Sequence, residues 1–193
     1  MREKILSYLG RKAVLAVGLI IIGICSRTVF HIAPNVELVT TLSLVAGFFL
    51  GGIYAFAVPL GIMVGSDMAI GNTSIFVFTW SAYLIGGGLG LGLRLLGLNK
   101  KIVLAGLGSG LAFSLFFYLY TNFGVWLITP WYEKSLSGLL YCYYMGLPFL
   151  KPQLIGNVVL VPVGFLIGEY LRLKLGRKVI RASLGADLRK IKN

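Results

Sequence analysis

Acidic side chains are scarce in this chain: six Asp and Glu stand against 18 Lys and Arg in 193 residues, with one histidine and two cysteines. Charged residues make up 12%, about half of the roughly 25% found in soluble domains. Mean hydropathy is +0.89. Soluble enzymes, DNA-binding domains and secreted disulfide scaffolds fit this composition poorly. Cys25 and Cys142 lie in apolar stretches without CxxC or Cys/His spacing, which reads as two buried free thiols. His31 has no metal-ligand partner at a useful spacing, so no zinc site is expected. HExxH, GxSxG, Walker motifs and paired intramembrane carboxylates are all missing. The reading is therefore non-enzymatic, with no cofactor and no nucleic-acid partner. Active transport by such a chain needs a partner or an ion gradient.

What is abundant is apolar: 58% of residues are hydrophobic and 26 are glycine. Six apolar segments stand out, at Ala13–Ile32, Leu38–Leu50, Ile53–Gly65, Ile75–Leu96, Ile102–Val125 and Gln153–Leu173. Four of them approach the roughly 20 residues needed to cross about 30 Å of hydrocarbon. The second and third are short, and Val36–Gly65 is broken at Gly51-Gly52 and again at Pro59. It reads as two short helices or one kinked helix. The positive-inside rule favours two. With six spans, 15 of the 18 cations face the cytoplasm and only Arg27, Lys134 and Lys151 lie outside.

The expected fold is all-α: a single six-helix transmembrane bundle over residues 1–173, and a basic cytoplasmic tail over 174–193. Glu133–Met145 lies between Pro130 and Pro148 and reads as a short amphipathic or re-entrant helix on the outer side. The charged start followed by Ala13–Cys25 resembles a signal peptide. Without a small-residue cleavage site it reads as a retained first helix. The expected location is the plasma membrane, multi-pass, with both termini cytoplasmic.

Eight cations from Arg172 to Lys192, interleaved with Leu and Ile, suit either a lipid-binding surface or a simple topology signal. Glycine pairs spaced by four at Gly47/Gly51, Gly61/Gly65, Gly86/Gly90, Gly88/Gly92 and Gly106/Gly110 predict close helix packing. They are not phosphate loops, since no strand precedes them and no Gly-Lys-Ser/Thr follows.

The rare polar residues sort to the outer side. Arg27, His31, Asn35 and Glu37 fall in the first outer region; Ser66, Asp67, Asn72 and Thr73 fall in the second; Asn122, Trp126, Trp131, Glu133 and Lys134 fall in the third. Polar groups at membrane depth are costly unless paired or wetted, so this gathering predicts a pocket. The candidate ligand-binding set is Arg27, His31, Asn35, Asp67, Asn72, Trp126, Trp131, Tyr141 and Asn157. Each has an alternative role. Asp67 is a loop or capping charge, or a partner of Arg27. Asn157 is a pocket group or a helix–helix hydrogen bond. The aromatics from Trp126 to Phe149 form a pocket wall or an interfacial belt. Glu169, among Arg172 and Lys174, suits a local ion pair.

Pro34-Asn35, Ala46-Gly47 and Ser66-Asp67, with Ser137-Gly138-Leu139-Leu140-Tyr141-Cys142-Tyr143, Leu147-Pro148-Phe149 and Gly156-Asn157 further on, resemble a group of small prokaryotic membrane proteins. That group is similar to the substrate-binding S components of energy-coupling factor (ECF) transporters. The resemblance covers about Ala13–Leu173. It implies six helices, an extracellular ligand pocket, and docking on a transmembrane coupling protein driven by two ATPases. One departure stands out: S components often dock through Ala-x-x-x-Ala on the first helix, whereas Ala13 and Ala16 are three apart.

These observations predict a substrate-binding subunit for a vitamin or other micronutrient. The alternatives are a structural or assembly protein that uses its glycines for subunit packing, and an intramembrane lipid enzyme resting on Asp67, His31 and Glu133.

Overall fold

The computed structural model describes residues 2–30, 33, 35–71, 74–98 and 101–191. These residues form an all-helical fold with no strand among them: α1 (Arg2–Thr28), α2 (Val39–Val45), α3 (Tyr54–Ile70), α4 (Phe76–Leu95), α5 (Ile102–Ile128) and α6 (Leu136–Ile191). One π-helical turn, Ala46–Leu50, prolongs α2. Three helices are long and apolar enough to cross a membrane: α4, α5 and the Leu136–Lys174 part of α6. Their outer faces carry exposed apolar side chains, including Leu104, Leu115 and Leu119 on α5 and Ile155, Val159 and Leu166 on α6. So large an exposed apolar surface is suited to lipid rather than water.

Helix direction alternates along the chain. Ile20 and Ile24 of α1 pack on Gly61 and Gly65 of α3, so these two run parallel. Gly156, Gly164 and Gly168 of α6 meet Val36, Thr41 and Phe49, so α6 runs parallel to α2. Phe113 lies against Gly86 and Phe78 against Gly124, which sets α5 antiparallel to α4. Phe165 against Gly106 and Val161 against Gly110 set α6 antiparallel to α5.

The short second segment is the centre of the bundle. α2 touches every other helix, and Val39 through Leu44 are all buried. Its 12 residues, π turn included, reach roughly 18 Å at about 1.5 Å per residue. It is therefore shorter than the roughly 20 residues of a helix that crosses a membrane, and its last carbonyls lack helical donors. Two basic side chains meet them. Lys12 Nζ donates to Leu50 O (2.6 Å), and Arg94 Nη1 donates to Phe48 O and Phe49 O (3.3 Å each). The chain then reverses at Gly51 and Gly52, whose φ values of 65° and 56° suit glycine.

Pro59 does not break the chain; it lies inside α3. It removes the helical donor for Ala55 O, and that oxygen is packed directly on Gly87 of α4. Gly90 is packed likewise on the backbone of Leu44, and Gly47 on that of Gly87 to Leu91. Most of the glycines expected to pack do so. The exceptions are Gly88, with only Phe56 nearby at 3.7 Å, Gly92, with nothing within 4 Å, and Gly51, which makes the turn.

The separate outer amphipathic helix is not present. Residues 136–145 are the first turns of α6, which continues through Pro148, Pro152 and Pro162. Pro148 costs the carbonyl of Tyr144 its helical donor. Tyr118 Oη of α5 donates to the adjacent carbonyl of Tyr143 (2.5 Å), which braces α6 there. Nor does the backbone break at residue 173, since α6 runs on to Ile191. Glu169 pairs with Arg172 at 2.8 Å, as expected of a local ion pair. Cys25 and Cys142 are free.

Gly90→Val forces a side chain onto the Leu44 backbone, whose Cα would lie 2.9 Å from the new Cβ. It is expected to cost about 3 kcal/mol or more, the upper end of overpacking. Gly92→Ala meets open space and is expected to gain about 0.5–1 kcal/mol. Thermal unfolding of the two variants in detergent checks the contrast.

Candidate functional site

Arg27, one residue from the end of α1, is the organising side chain. Its Nη1 donates to Asp67 Oδ1 at 2.8 Å and to Ser66 Oγ, and lies 3.3 Å from Met63 Sδ. The second carboxylate oxygen of Asp67 accepts from Trp80 Nε1 of α4 at 2.7 Å. Asp67 sits three residues before the end of α3, and Trp80 four residues after the start of α4. Equal depth on antiparallel neighbours brings them together. Arg27 and Asp67 retain only 13% and 9% side-chain exposure, so this is a buried ion pair whose carboxylate has both oxygens occupied.

A second carboxylate approaches the same guanidinium. Glu37 Oε2 lies 3.4 Å from Arg27 Nε, and its side chain is 39% exposed. Nε makes no hydrogen bond. Glu37 is delivered by the turn that precedes α2, where Val36 N–H donates to Ala33 O and Asn35 has φ 60°. Asn is among the few residues that take this left-handed conformation readily.

These groups line a cavity of about 180 Å³ above the N-terminal end of α2. Arg27, Asn35, Glu37 and Thr40 lie on one side; Thr79 and Tyr83 come from α4; Phe117, Tyr118, Thr121 and Asn122 come from α5; Phe149, Leu150 and Gln153 come from α6. The wall thus mixes aromatic faces with hydroxyl, amide and charged groups, the usual chemistry of a small-molecule site. Tyr83 is held in an aromatic stack, with ring centroids 5.6 Å from Phe113 and 5.1 Å from Phe117. Among the described residues, no cluster of three His, Cys, Asp or Glu is placed to hold a metal ion.

Of the residues singled out from sequence, Arg27 and Asn35 line the cavity and Asp67 joins it through Arg27. Asn157 does not line it. One turn beyond Gln153 on α6, Asn157 is buried and donates to Ser114 Oγ of α5 at 2.8 Å, a helix–helix hydrogen bond. His31 and Asn72 lie outside the described residues.

The aromatics between α5 and the start of α6 make contacts of their own. Trp126 Nε1 donates to Glu133 O at 2.9 Å. Lys134 Nζ lies over the Trp126 ring, 5.7 Å from its centroid, and donates to Thr129 O at 2.7 Å. Trp131 is 74% exposed, and Tyr141 packs edge-on against Tyr132. Partial burial, beside Cys142 and Tyr141, pushes the Tyr132 hydroxyl above its ordinary pKa, so it stays protonated near neutrality. Within the stretch from Trp126 to Phe149, only Phe149 lines the cavity. Sequence reasoning missed Trp80, Tyr83 and Phe117. Trp80 was accessible by counting outward from the α3–α4 turn, whereas the other two look like ordinary apolar residues of a span.

The chain matches the family described as "Family of unknown function (DUF6580)" over residues 8–180, and it belongs to that family. No curated protein matches the chain, and no solved structure does.

Removing one member of the buried pair leaves the other charge uncompensated. Arg27→Leu is expected to cost about 3–5 kcal/mol, and the double variant Arg27→Leu/Asp67→Leu less than that single change. Asn157→Leu is expected to cost about 1 kcal/mol, as interhelical hydrogen bonds in membranes do. Chemical denaturation in mixed micelles checks both.

Proposed function

We propose that this member of the family is the solute-binding subunit of a micronutrient uptake system, crossing the plasma membrane six times with both termini cytoplasmic. The observation that carries the reading is the cavity built around Arg27. A buried arginine is held in place by Ser66 and Asp67, with amides, hydroxyls and aromatic rings converging on the same space. In a bundle packed for stability alone, that volume would be filled by side chains.

Six crossings accord with the alternating helix directions and with the charge distribution. Lys12, Arg94 and Lys101 lie at the end opposite the cavity, the end at which α6 heads into the basic tail. The positive-inside rule makes that end cytoplasmic, so the cavity faces outward. The chain holds no ATP-binding motif, so energy comes from a partner. The likeness to ECF S components suggests a transmembrane coupling protein with two ATPases.

The structural-subunit alternative draws on the glycine contacts and the Asn157–Ser114 bond, but it leaves the cavity without a role. Native mass spectrometry of the purified protein separates the two. A small molecule is expected on the wild type and lost from Gln153→Trp, which fills the cavity from α6. A wild type free of any adduct, with no copurifying ATPase, overturns the uptake reading. For topology, single cysteines at Ile53 and Leu96 are expected to label from the cytoplasm and at Ser74 and Ser137 from outside, in a background lacking Cys25 and Cys142.

A further inference from the structure

We infer that the cavity selects a small organic monocation, an inference that rests on the solute-binding reading above. The argument is a charge count. Three charged side chains meet at the site: Arg27, Asp67 and Glu37. Asp67 is saturated by Arg27 and Trp80, each holding one of its oxygens. The positive charge of Arg27 is thereby matched at 2.8 Å, while Glu37 stands further off at 3.4 Å and keeps 39% of its side chain exposed. The described groups carry a net charge of one negative, and the unmatched carboxylate is the one that lines the cavity.

The rings of Tyr83, Phe117, Tyr118 and Phe149 line the same cavity as that carboxylate. Aromatic faces attract cations through their quadrupole, most strongly where water is excluded. A carboxylate solute would add a second uncompensated negative charge to a confined site, which is unfavourable. A hard metal ion would require several oxygen ligands, and among the described residues Glu37 is the one carboxylate lining the cavity. A cationic nitrogen with an apolar surround satisfies both the carboxylate and the rings. The volume of about 180 Å³ restricts the solute to a small one, below the range of roughly 300–1,000 Å³ typical of drug-sized pockets. Asn122 and Gln153, which line the same cavity, can then orient a hydroxyl or carbonyl on the same molecule.

Titration calorimetry on the detergent-solubilised full chain tests this with three probes of one shape. These are choline, the uncharged 3,3-dimethylbutan-1-ol, and the anion 3,3-dimethylbutanoate. Choline is expected to bind at least about tenfold more tightly than either of the others, a gap of about 1.4 kcal/mol. Glu37→Gln is expected to erase that preference while leaving the unfolding temperature close to the wild type, because Glu37 is partly exposed and outside the Asp67 pair. Equal or tighter binding of the alcohol or the anion overturns the charge selection and leaves the solute-binding reading standing. Unchanged choline preference in Glu37→Gln overturns the assigned role of the carboxylate. Failure of all three probes to bind overturns the inference, while the mass-spectrometric test of a bound native solute stands apart from it.

Discussion

A short buried helix sits at the centre of the bundle, and the rest of the molecule is arranged to enclose it and to satisfy its end. α2 with its π turn spans 12 residues. Every other helix touches it, so its backbone is shielded from lipid. Its last carbonyls are met by Lys12 and Arg94, cations that also favour the negative end of a helix dipole. For neighbours to close around it, α4 must approach to backbone contact, which explains Gly87 and Gly90. Pro59 belongs to the same contact, because the carbonyl it frees is the one lying on Gly87.

The cavity follows from the same shortness. Where α2 begins, the surrounding helices continue outward and leave space between them. That space is lined by side chains from α1, α4, α5 and α6 and by the turn that enters α2. Arg27 could not be left there unpaired, since an isolated buried charge is prohibitively costly. Asp67 and Ser66 of α3 hold it, and Trp80 of α4 holds Asp67 in turn, which makes the ion pair a clamp between α1, α3 and α4 as well as a wall of the cavity. The ion pair that ties these helices together is therefore also the one that shapes the cavity.

Much of this is legible in the amino-acid order. Helical class and the location of the apolar segments follow from composition and spacing, while the choice of a reversal at Gly51-Gly52 over one kinked helix came from the distribution of cations. The pairing of Arg27 with Asp67 was one of two roles the sequence left open for Asp67, the other being a loop or capping charge, and the structure selects the pair. Three features are not legible there. Pro148 reads as a stop, yet Tyr118 braces α6 beside the carbonyl next to the gap. Trp126, Trp131 and Tyr141 read as pocket wall or interfacial belt, yet the Trp126 indole N–H bonds Glu133 O, the Tyr141 ring packs on Tyr132, and Trp131 is largely exposed. Gly88/Gly92 matches the small-residue spacing as well as Gly86/Gly90 does, but faces outward.

What the amino-acid order determined by itself is the class of environment and the inventory of costly groups. Long apolar runs demand lipid, and a handful of charges within them demand partners, whatever the packing. Only the tertiary structure decided which partners those are. Asp67 finds Trp80 and Asn157 finds Ser114 across separations of 13 and 43 residues. Helical period places a side chain on a face of its own helix. It carries no information about which other helix that face will meet, and here the enclosure of α2 settled the question.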